Sequence, residues 1–587
     1  MKTSENICRY QCFIAFYKKT SHIIEKWENG KGNPMYKVII FFVMVVFLTA
    51  CEQTENNATP EKISTDARPN ILLIVADDLG YSDIAPFGSE ISTPNLDALA
   101  AGGIKMSNMY AAAACSPTRT MLLGGADSHR GGMGTMYNDQ APNQMGKPGY
   151  EGYLNKDVVT VSTLLNDAGY HTYMTGKWHL GYDEDQSPKA RGFEKSFALL
   201  QGGSGHFDDA PLTIDQDKSW FREDGKRVPW PEHQFSSQFY TDKMIDYIDQ
   251  SKNDGKPFFA YLAYTAPHWP LQAPEDYIDK YKGQYDEGYN VLTEKRMKSM
   301  EAIGLINAGL KPPVHAYPDS ENWNNLSEEQ KKIKAREMEI YAAMIDNMDY
   351  HIGRMLDYLD KTGQRENTIV IFMSDNGAAG FGPGMARAFP KEWIEANFNN
   401  SYENMGKQGS YIYYGPHWAQ AGSAPSRMFK GFITEGGIKV PGIINYGDKI
   451  KHLKGEFDDH FLTVLDLPVT FLDLANADLP GSEYKGRKVY PYIGKSILPY
   501  LRGDAKTIHN DNDVVSWELS NRMAVRKGDW KIIKIPGKYG TGEWELFNIK
   551  DDPGETHDLS HEDKVKLAEM VDEWDKYAKE NGVVLAQ

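Results

Sequence analysis

Residues 68–80 read RPNILLIVADDLG. Ile71 to Val75 is an unbroken apolar run rich in β-branched side chains, and it stops abruptly at Ala76, Asp77 and Asp78. A strand with one wet face alternates apolar and polar residues. A run that is apolar at every position is buried on both faces, as in a parallel sheet covered by helices. NTIVIFMSDNG (367–377) repeats the pattern and runs straight into Asp375, Asn376 and Gly377. KPFFAYLAYTAPHWP (256–270) is a further apolar strand, closed by Pro267 and Pro270. VSTLLNDAGYHTYMTGKWHLG (161–181) gives an amphipathic helix, a stop at Gly169 and then an extended segment. Helical patterning, as over 335–361, separates these strands. Strands alternating with helices predict an α/β fold, a doubly wound, mostly parallel sheet with helices on both faces.

Towards the end the texture changes. VVSWELSNRMAVRKGDWKIIKI (514–535) and GEWELFNI (542–549) read as short aromatic-rich antiparallel strands, with Gly528–Asp529 as a turn. A charged amphipathic helix follows, from about Glu562 to Lys579. Residues 69–505 are therefore expected to form the main domain and 506–587 a smaller α+β subdomain of antiparallel sheet plus helix.

The start of the chain reads as a targeting segment. MYKVIIFFVMVVFLTAC (35–51) carries Lys37, an apolar run from Val38 to Leu48, and then Leu-Thr-Ala-Cys. The run has the length of a signal-peptide core and is short for a membrane span, although an uncleaved anchor is the alternative. A cysteine directly after Leu-Thr-Ala resembles a bacterial lipobox, in which Cys51 is lipidated and becomes the mature N-terminus. Residues 1–34 fit no signal pattern and are expected to be an upstream extension, with Met35 as the start. Residues 35–50 are then the leader and 51–68 a polar tether. These readings predict an exported lipoprotein, periplasmic or at the cell surface, that meets the membrane through its lipid anchor only. A formal charge of −17 argues against nucleic acid as a partner.

Of four cysteines, Cys8 and Cys12 precede the expected start and Cys51 carries lipid, so Cys115 alone remains for the folded body. Its bland role is that of a small buried residue. The strand ends suggest more. Functional groups in parallel sheets gather at the carboxyl ends of strands, and Asp77, Asp78, Asp375 and Asn376 all stand there. If their strands are neighbours, three carboxylates and an amide make a hard-oxygen site for Ca2+ or Mg2+. Taken singly, such pairs are ordinary loop-initiating residues. Lys177 and His179 lie two apart on the extended segment and are expected to face one side. His268, Arg119 (four residues beyond Cys115) and Lys430 complete a set of cations and imidazoles. Around a divalent metal they would clamp a tetrahedral oxyanion. Each alone is as readily a surface charge or a structural histidine.

Cys115-Ser-Pro-Thr-Arg119, followed by TMLLGG, resembles the signature of the sulfatase family, in which a Cys-x-Pro-x-Arg cysteine is oxidised to Cα-formylglycine (3-oxoalanine). NILLIVADDLGYSD, TGKWHLG, APHWPLQAPEDYIDKYKGQYDEGY, SDNG and APSRMFKGFITEGGIKVPGI appear in family order along the chain. The third of these, with GADSHRGGMGTM (125–136), is most like the bacterial arylsulfatases. The resemblance covers nearly the whole body and implies an alkaline-phosphatase-like fold and hydrolysis of sulfate monoesters. It implies that hydrated formylglycine at Cys115 attacks sulfur in line and later expels sulfate by returning to the aldehyde. It implies one Ca2+ held by Asp77, Asp78, Asp375, Asn376 and residue 115. Arg119 would orient the nucleophile. Lys177, His268 and Lys430 would grip sulfate, with His268 protonating the leaving group and His179 helping to deprotonate the gem-diol. Pro117 and Arg119 would be read by a formylglycine-generating maturation enzyme. His206, in QGGSGHF, is expected at the substrate pocket, a structural role being the alternative. The implied substrate is a sulfated small molecule or oligosaccharide, expected to be a sulfated sugar from a polysaccharide. A phosphonate monoester or phosphodiester hydrolase of the same superfamily is the enzymatic rival. A non-catalytic lipoprotein that binds sulfated glycans is the rival of another class.

Overall fold

The computed structural model describes residues 68–313, 322–382 and 389–587, except the side chain of Lys451. The expected extension, leader and tether, with Cys51, lie outside them. No helix among the described residues is long and apolar enough to cross a membrane.

Strand β1 (Asn70–Ala76) lies mid-sheet and is buried at every position. The main sheet also contains β2 (Ile104–Tyr110), β3 (His171–Lys177), β4 (Lys195–Leu199), β5 (Phe221–Glu223), β6 (Lys226–Val228), β7 (Phe258–Ala263), β8 (Thr368–Ser374) and β9 (Lys439–Asn445), with short segments β10 (Phe457–Asp458) and β11 (Leu462–Thr463). Their order is β10-β2-β9-β8-β1-β7-β3-β4-β5-β6, with β11 beside β2. β1 pairs in parallel with β7 and with β8, the latter in the register Ala76 to Ser374. β3 joins β7 in parallel and β4 joins β3. β9 runs against both β8 and β2, and β5–β6 form an antiparallel edge, so the sheet is mixed but mostly parallel. β1, β2, β3, β7 and β8 therefore all end on one edge.

Alternate residues of β1 feed two cores. Leu72, Ile74 and Ala76 belong to one, and Ile71, Leu73 and Val75 to the other. That is why the run carries no polar position. The second core includes residues of α1 (Cys115–Gly124) and α2 (Val161–Asp167). The first is covered by α3 (Ser236–Ser251) and α4 (Glu328–Lys361). In α4, Met338, Tyr341, Ile345, Met348, Ile352, Met355 and Leu359 recur at alternating spacings of three and four, which lays one apolar stripe on the sheet. The helix starts earlier than residue 335 because Ser327 and Gln330 form a capping box that satisfies its first backbone donors. α5 (Asp466–Leu474) packs on the other face.

A two-stranded hairpin, β12 (Glu483–Tyr484) and β13 (Arg487–Lys488), precedes the second sheet. That sheet is β14 (Val514–Leu519), β15 (Arg522–Lys527), β16 (Trp530–Lys534) and β17 (Trp544–Asn548), antiparallel and in sequence order. One face packs Val525, Ile532 and Leu546 against Met570 and Trp574 of α6 (Lys564–Asn581). The other sends Trp517, Ala524, Ile533 and Phe547 into the main core. The expected Gly528–Asp529 turn joins β15 to β16. A second turn, Ser520–Asn521, joins β14 to β15 with φ of +51° and +66°, a hairpin geometry usually carried by glycine. Buried His129 ties the sheets together, its Nδ1 lying 2.8 Å from Asp127 and its Nε2 3.3 Å from Glu518 of β14. Tyr577 of α6 donates to the same Asp127 at 2.9 Å.

Candidate active site

The parallel strands deliver their polar caps to one place. Asp77 and Asp78 follow β1, Asp375 and Asn376 follow the adjacent β8, Lys177 ends β3, and His268 lies beyond β7. Asp78 turns back through the left-handed region at φ +65°, and its amide donates to Asp375 Oδ1 at 3.2 Å.

Cys115 opens α1, where unpaired N–H groups and the positive end of the helix dipole lie. The alanines before it are buried, and their small side chains let two backbones meet. Gly431 N–H donates to the Ala113 carbonyl at 2.7 Å, and Ala111 N–H donates to the Ile438 carbonyl at 2.8 Å. Those contacts bring Lys430 over the thiol. Its Nζ is 3.2 Å from Cys115 Sγ and 2.7 Å from Asp78 Oδ1. The thiol lies 3.6 Å from Asp77 Oδ1 and 3.7 Å from Asp78 Oδ1. Burial first, then Asp375, pushes the Cys115 thiol far above its usual range, so as a cysteine it is protonated. An unmodified thiol here is a poor nucleophile.

Arg119, one turn along α1, faces the same way. Its Nε and Nη2 donate to Asp375 Oδ2 at 3.0 and 2.8 Å, and its Nη1 to the Lys177 carbonyl at 2.7 Å. Lys177 Nζ sits on both oxygens of Asp77, at 2.8 and 2.7 Å. Burial raises Asp77, which Lys177 only partly offsets, and it titrates near about 7. Burial acts the same way on Asp78, but Lys430 outweighs it and holds that carboxyl well below the usual range.

The donors suit a hard cation. Three carboxylates face Lys177, Lys430 and Arg119, a set with no net charge, so one divalent ion would leave the site cationic and receptive to sulfate. Asn376 donates its Nδ2 to Asp78 Oδ1 at 2.7 Å, while its Oδ1 is buried with no partner. The Nδ1–H of His268 goes to the Trp269 carbonyl, which leaves the Nε2 lone pair 3.3 Å from Asp78 Oδ2. Two facing acceptors call for a cation or proton between them. Ligand atoms of Asp77, Asp78, Cys115 and His268 all lie within 4.8 Å of one another. The family resemblance implies that Asp375 and Asn376 join Asp77, Asp78 and residue 115 as ligands. Both adjoin that cluster, with Arg119 already occupying one Asp375 oxygen.

Lys177 and His179 do not share a side by strand alternation. β3 ends at Lys177, and His179 has φ +57°. The kink still swings His179 into the cleft, with Nδ1 buried and unpartnered. Burial, then Lys177 and Arg119, holds it well below its usual range, so it is neutral. Burial likewise keeps His268 neutral against the pull of Asp78. A Cβ at Gly202 would stand 2.9 Å from the His179 ring and one at Gly203 3.2 Å from His268 Nδ1. That is the constraint behind the double glycine of QGGSGHF. The expectation for His206 needs correction: it does not line the cleft. Its imidazole bridges Ser236 Oγ at 2.7 Å and the His268 carbonyl at 3.0 Å, behind the loop it supports.

Above these groups opens a cleft of about 240 Å3, with Cys115, His179, His268 and Lys430 among its walls. Sequence reasoning missed its other walls, which include Asp139, Tyr182, Thr213, Trp269 and Arg522. It also missed Tyr261 of β7, whose hydroxyl accepts from Arg119 at 3.2 Å.

The sulfatase family model matches residues 69–477, and a model for the C-terminal part of N-sulphoglucosamine sulphohydrolase matches 427–579. An uncharacterized sulfatase of Schizosaccharomyces pombe is 43% identical over 539 residues, 89% of this chain and 96% of that protein. An arylsulfatase of Klebsiella aerogenes is 41% identical across 73% of this chain and 91% of its own. An N-acetylglucosamine-6-O-sulfatase of Bacteroides thetaiotaomicron is 26% identical over 94% and 92% of the two chains. Among solved structures, Ps i-CgsB in complex with k-i-k-neocarrahexaose is 25% identical, with a TM-score of 0.61 over 88% of this chain and 93% of that one.

Proposed function

The chain belongs to the sulfatase family and is a sulfuric ester hydrolase, and from that premise we propose that it removes sulfate from sugars through formylglycine at position 115 and one bound Ca2+. The observation that carries this reading is the placement of Cys115, fixed at a helix start on the wall of the cleft between two carboxylates and Lys430. Formylglycine supplies a hydrated aldehyde, one hydroxyl to attack sulfur and a second whose deprotonation releases sulfate. Asp77, Asp78, Asp375, Asn376 and residue 115 would hold Ca2+, which would supply fixed positive charge to stabilise a bound sulfate.

The side chains of this chain do the rest. Lys177 and Lys430 neutralise Asp77 and Asp78 in the resting site and turn to sulfate oxygens when substrate enters. Arg119 holds Asp375 and the end of β3 in register. His268 presents Nε2 to the cleft, where the negative charge of a bound ester raises its proton affinity and lets it serve the leaving oxygen. His179, neutral and with Nδ1 free, takes the proton from residue 115 in the release step.

A sugar substrate is supported by two relatives, the Bacteroides N-acetylglucosamine-6-O-sulfatase and Ps i-CgsB with its bound neocarrahexaose. Export as a lipoprotein through the 35–50 leader, with lipid on Cys51, completes the proposal, as does maturation of Cys115 by a formylglycine-generating enzyme. Turnover of 4-nitrophenyl sulfate is compared with phenyl phosphonate and a phosphodiester analogue. Sulfate is expected to be fastest, and a preference for either phosphorus ester would overturn the reading.

A further inference from the structure

Next to the catalytic cleft lies a second concave surface of about 430 Å3 that shares Tyr137, Asn138, Tyr182 and Gln216 with it. Three aromatic rings form a chain along it. Tyr137 and Tyr182 meet edge to face at 5.6 Å between centroids, and Tyr182 meets Trp220 the same way at 5.9 Å. Arg227 lies over the Trp220 ring at 4.1 Å and fixes the indole in place. None of these rings is fully buried.

The charge differs between the two hollows. The catalytic cleft is lined by Lys430 and Arg522 as well as Asp139. The groove is walled by Glu151, Asp183, Asp215 and Asp217, with no Lys or Arg among the described residues that line it. Two polar atoms are buried without a partner, Oε1 of Gln216, which lines both hollows, and Oγ1 of Thr213, which lines the cleft and is only 5% exposed. Orphaned buried groups are costly unless something satisfies them. A hydroxyl-rich ligand crossing from cleft to groove would do so. Aromatic faces attract the polarised C–H groups of a sugar ring, and carboxylates accept from its hydroxyls. Four carboxylates also repel a second anion.

We propose that this groove holds the sugar unit adjoining the sulfated one, and that it selects an uncharged neighbour over one carrying sulfate or carboxylate. The inference rests on the sulfated-sugar reading above and narrows it to an oligosaccharide with sparse charge on that side.

The test uses the mature, formylglycine-bearing protein. Galactose, glucose and N-acetylglucosamine monosulfates, sulfated in turn at each hydroxyl, are compared with the same sugars extended by one galactose at either end. A third series carries a second sulfate on the added galactose. For the sulfated sugar turned over fastest, the neutral extension is expected to raise kcat/KM about tenfold, and the second sulfate to remove that gain. In Trp220→Ala the disaccharide-to-monosaccharide ratio falls to about one, while Trp220→Phe keeps most of it. Asp215→Asn with Asp217→Asn restores turnover of the doubly sulfated series. An extension without effect, a gain that survives Trp220→Ala, or indifference to the second sulfate overturns the proposal. If 4-nitrophenyl sulfate is hydrolysed and no sugar sulfate is, the groove and the sugar reading fall while the catalytic one stands. If neither is hydrolysed, the catalytic reading itself has failed.

Discussion

The Asn376 amide donates to Asp78 Oδ1 at 2.7 Å across 298 positions of sequence. Its own carbonyl oxygen is left buried and unpaired. A buried amide oxygen without a partner suits a cation. Added Ca2+ is therefore expected to raise the melting temperature and a chelator to lower it. At a hundred times Kd the stabilisation is about 2.7 kcal/mol. Asn376→Ala removes most of that shift, read by scanning calorimetry with and without Ca2+. A shift of equal size in Asn376→Ala would place the ion elsewhere.

Arg119 and Asp375 are both fully buried and 2.8 Å apart. Arg119→Leu leaves a carboxylate without its partner in a dry site. The expected loss is about 3–5 kcal/mol of unfolding free energy, from urea titration. Arg119→Lys keeps a charge but cannot span Asp375, the Lys177 carbonyl and the Tyr261 hydroxyl together, so activity is expected to fall steeply even where the protein folds.

Lys430 is the cation nearest the nucleophile position. Lys430→Met is expected to lower kcat/KM for 4-nitrophenyl sulfate about 100–1000-fold. A change of less than about tenfold would take Lys430 out of the catalytic set.

His129 gives a pH dependence of stability away from the carboxylate cluster. Burial alone would depress it, but the hydrogen bonds it donates to Asp127 and Glu518 prevail and raise it to about 9. A raised value means that the folded state holds the proton more tightly than the unfolded one. The contribution is full below about pH 6.5 and is lost as pH rises through about 9, on the order of 3 kcal/mol. Melting temperatures measured between pH 6 and 10 are expected to fall across that window, and the slope is expected to flatten in His129→Phe.

The fold was legible where burial on both faces forces a pattern. β1, β7 and β8 each feed two cores, so their apolar runs admit no polar break, and the carboxylates that end them stand out. The residues at the strand ends were named through the family resemblance, which linked positions far apart in sequence, and the fold brings Asp77, Asp78, Cys115, Asp375 and Lys430 together. What stayed hidden obeys no period. Ser520–Asn521 makes a hairpin turn without glycine. His179 enters the cleft by a left-handed backbone kink, so alternation from Lys177 misplaced the reason for its position. His206 reads from its sequence as a pocket or a structural residue, and it is spent on Ser236 and the His268 carbonyl. The groove joins Tyr137, Tyr182 and Trp220 from separate loops, and nothing local in any of them signals the others.

The most direct test of the account is the mass of the tryptic peptide Met106–Arg119, from protein matured in its native host or beside a formylglycine-generating enzyme. The account predicts an aldehyde at position 115, trapped as a hydrazone. An unmodified thiol there, with a control sulfatase converted in parallel, would contradict it and return Cys115 to a small residue in a packed turn.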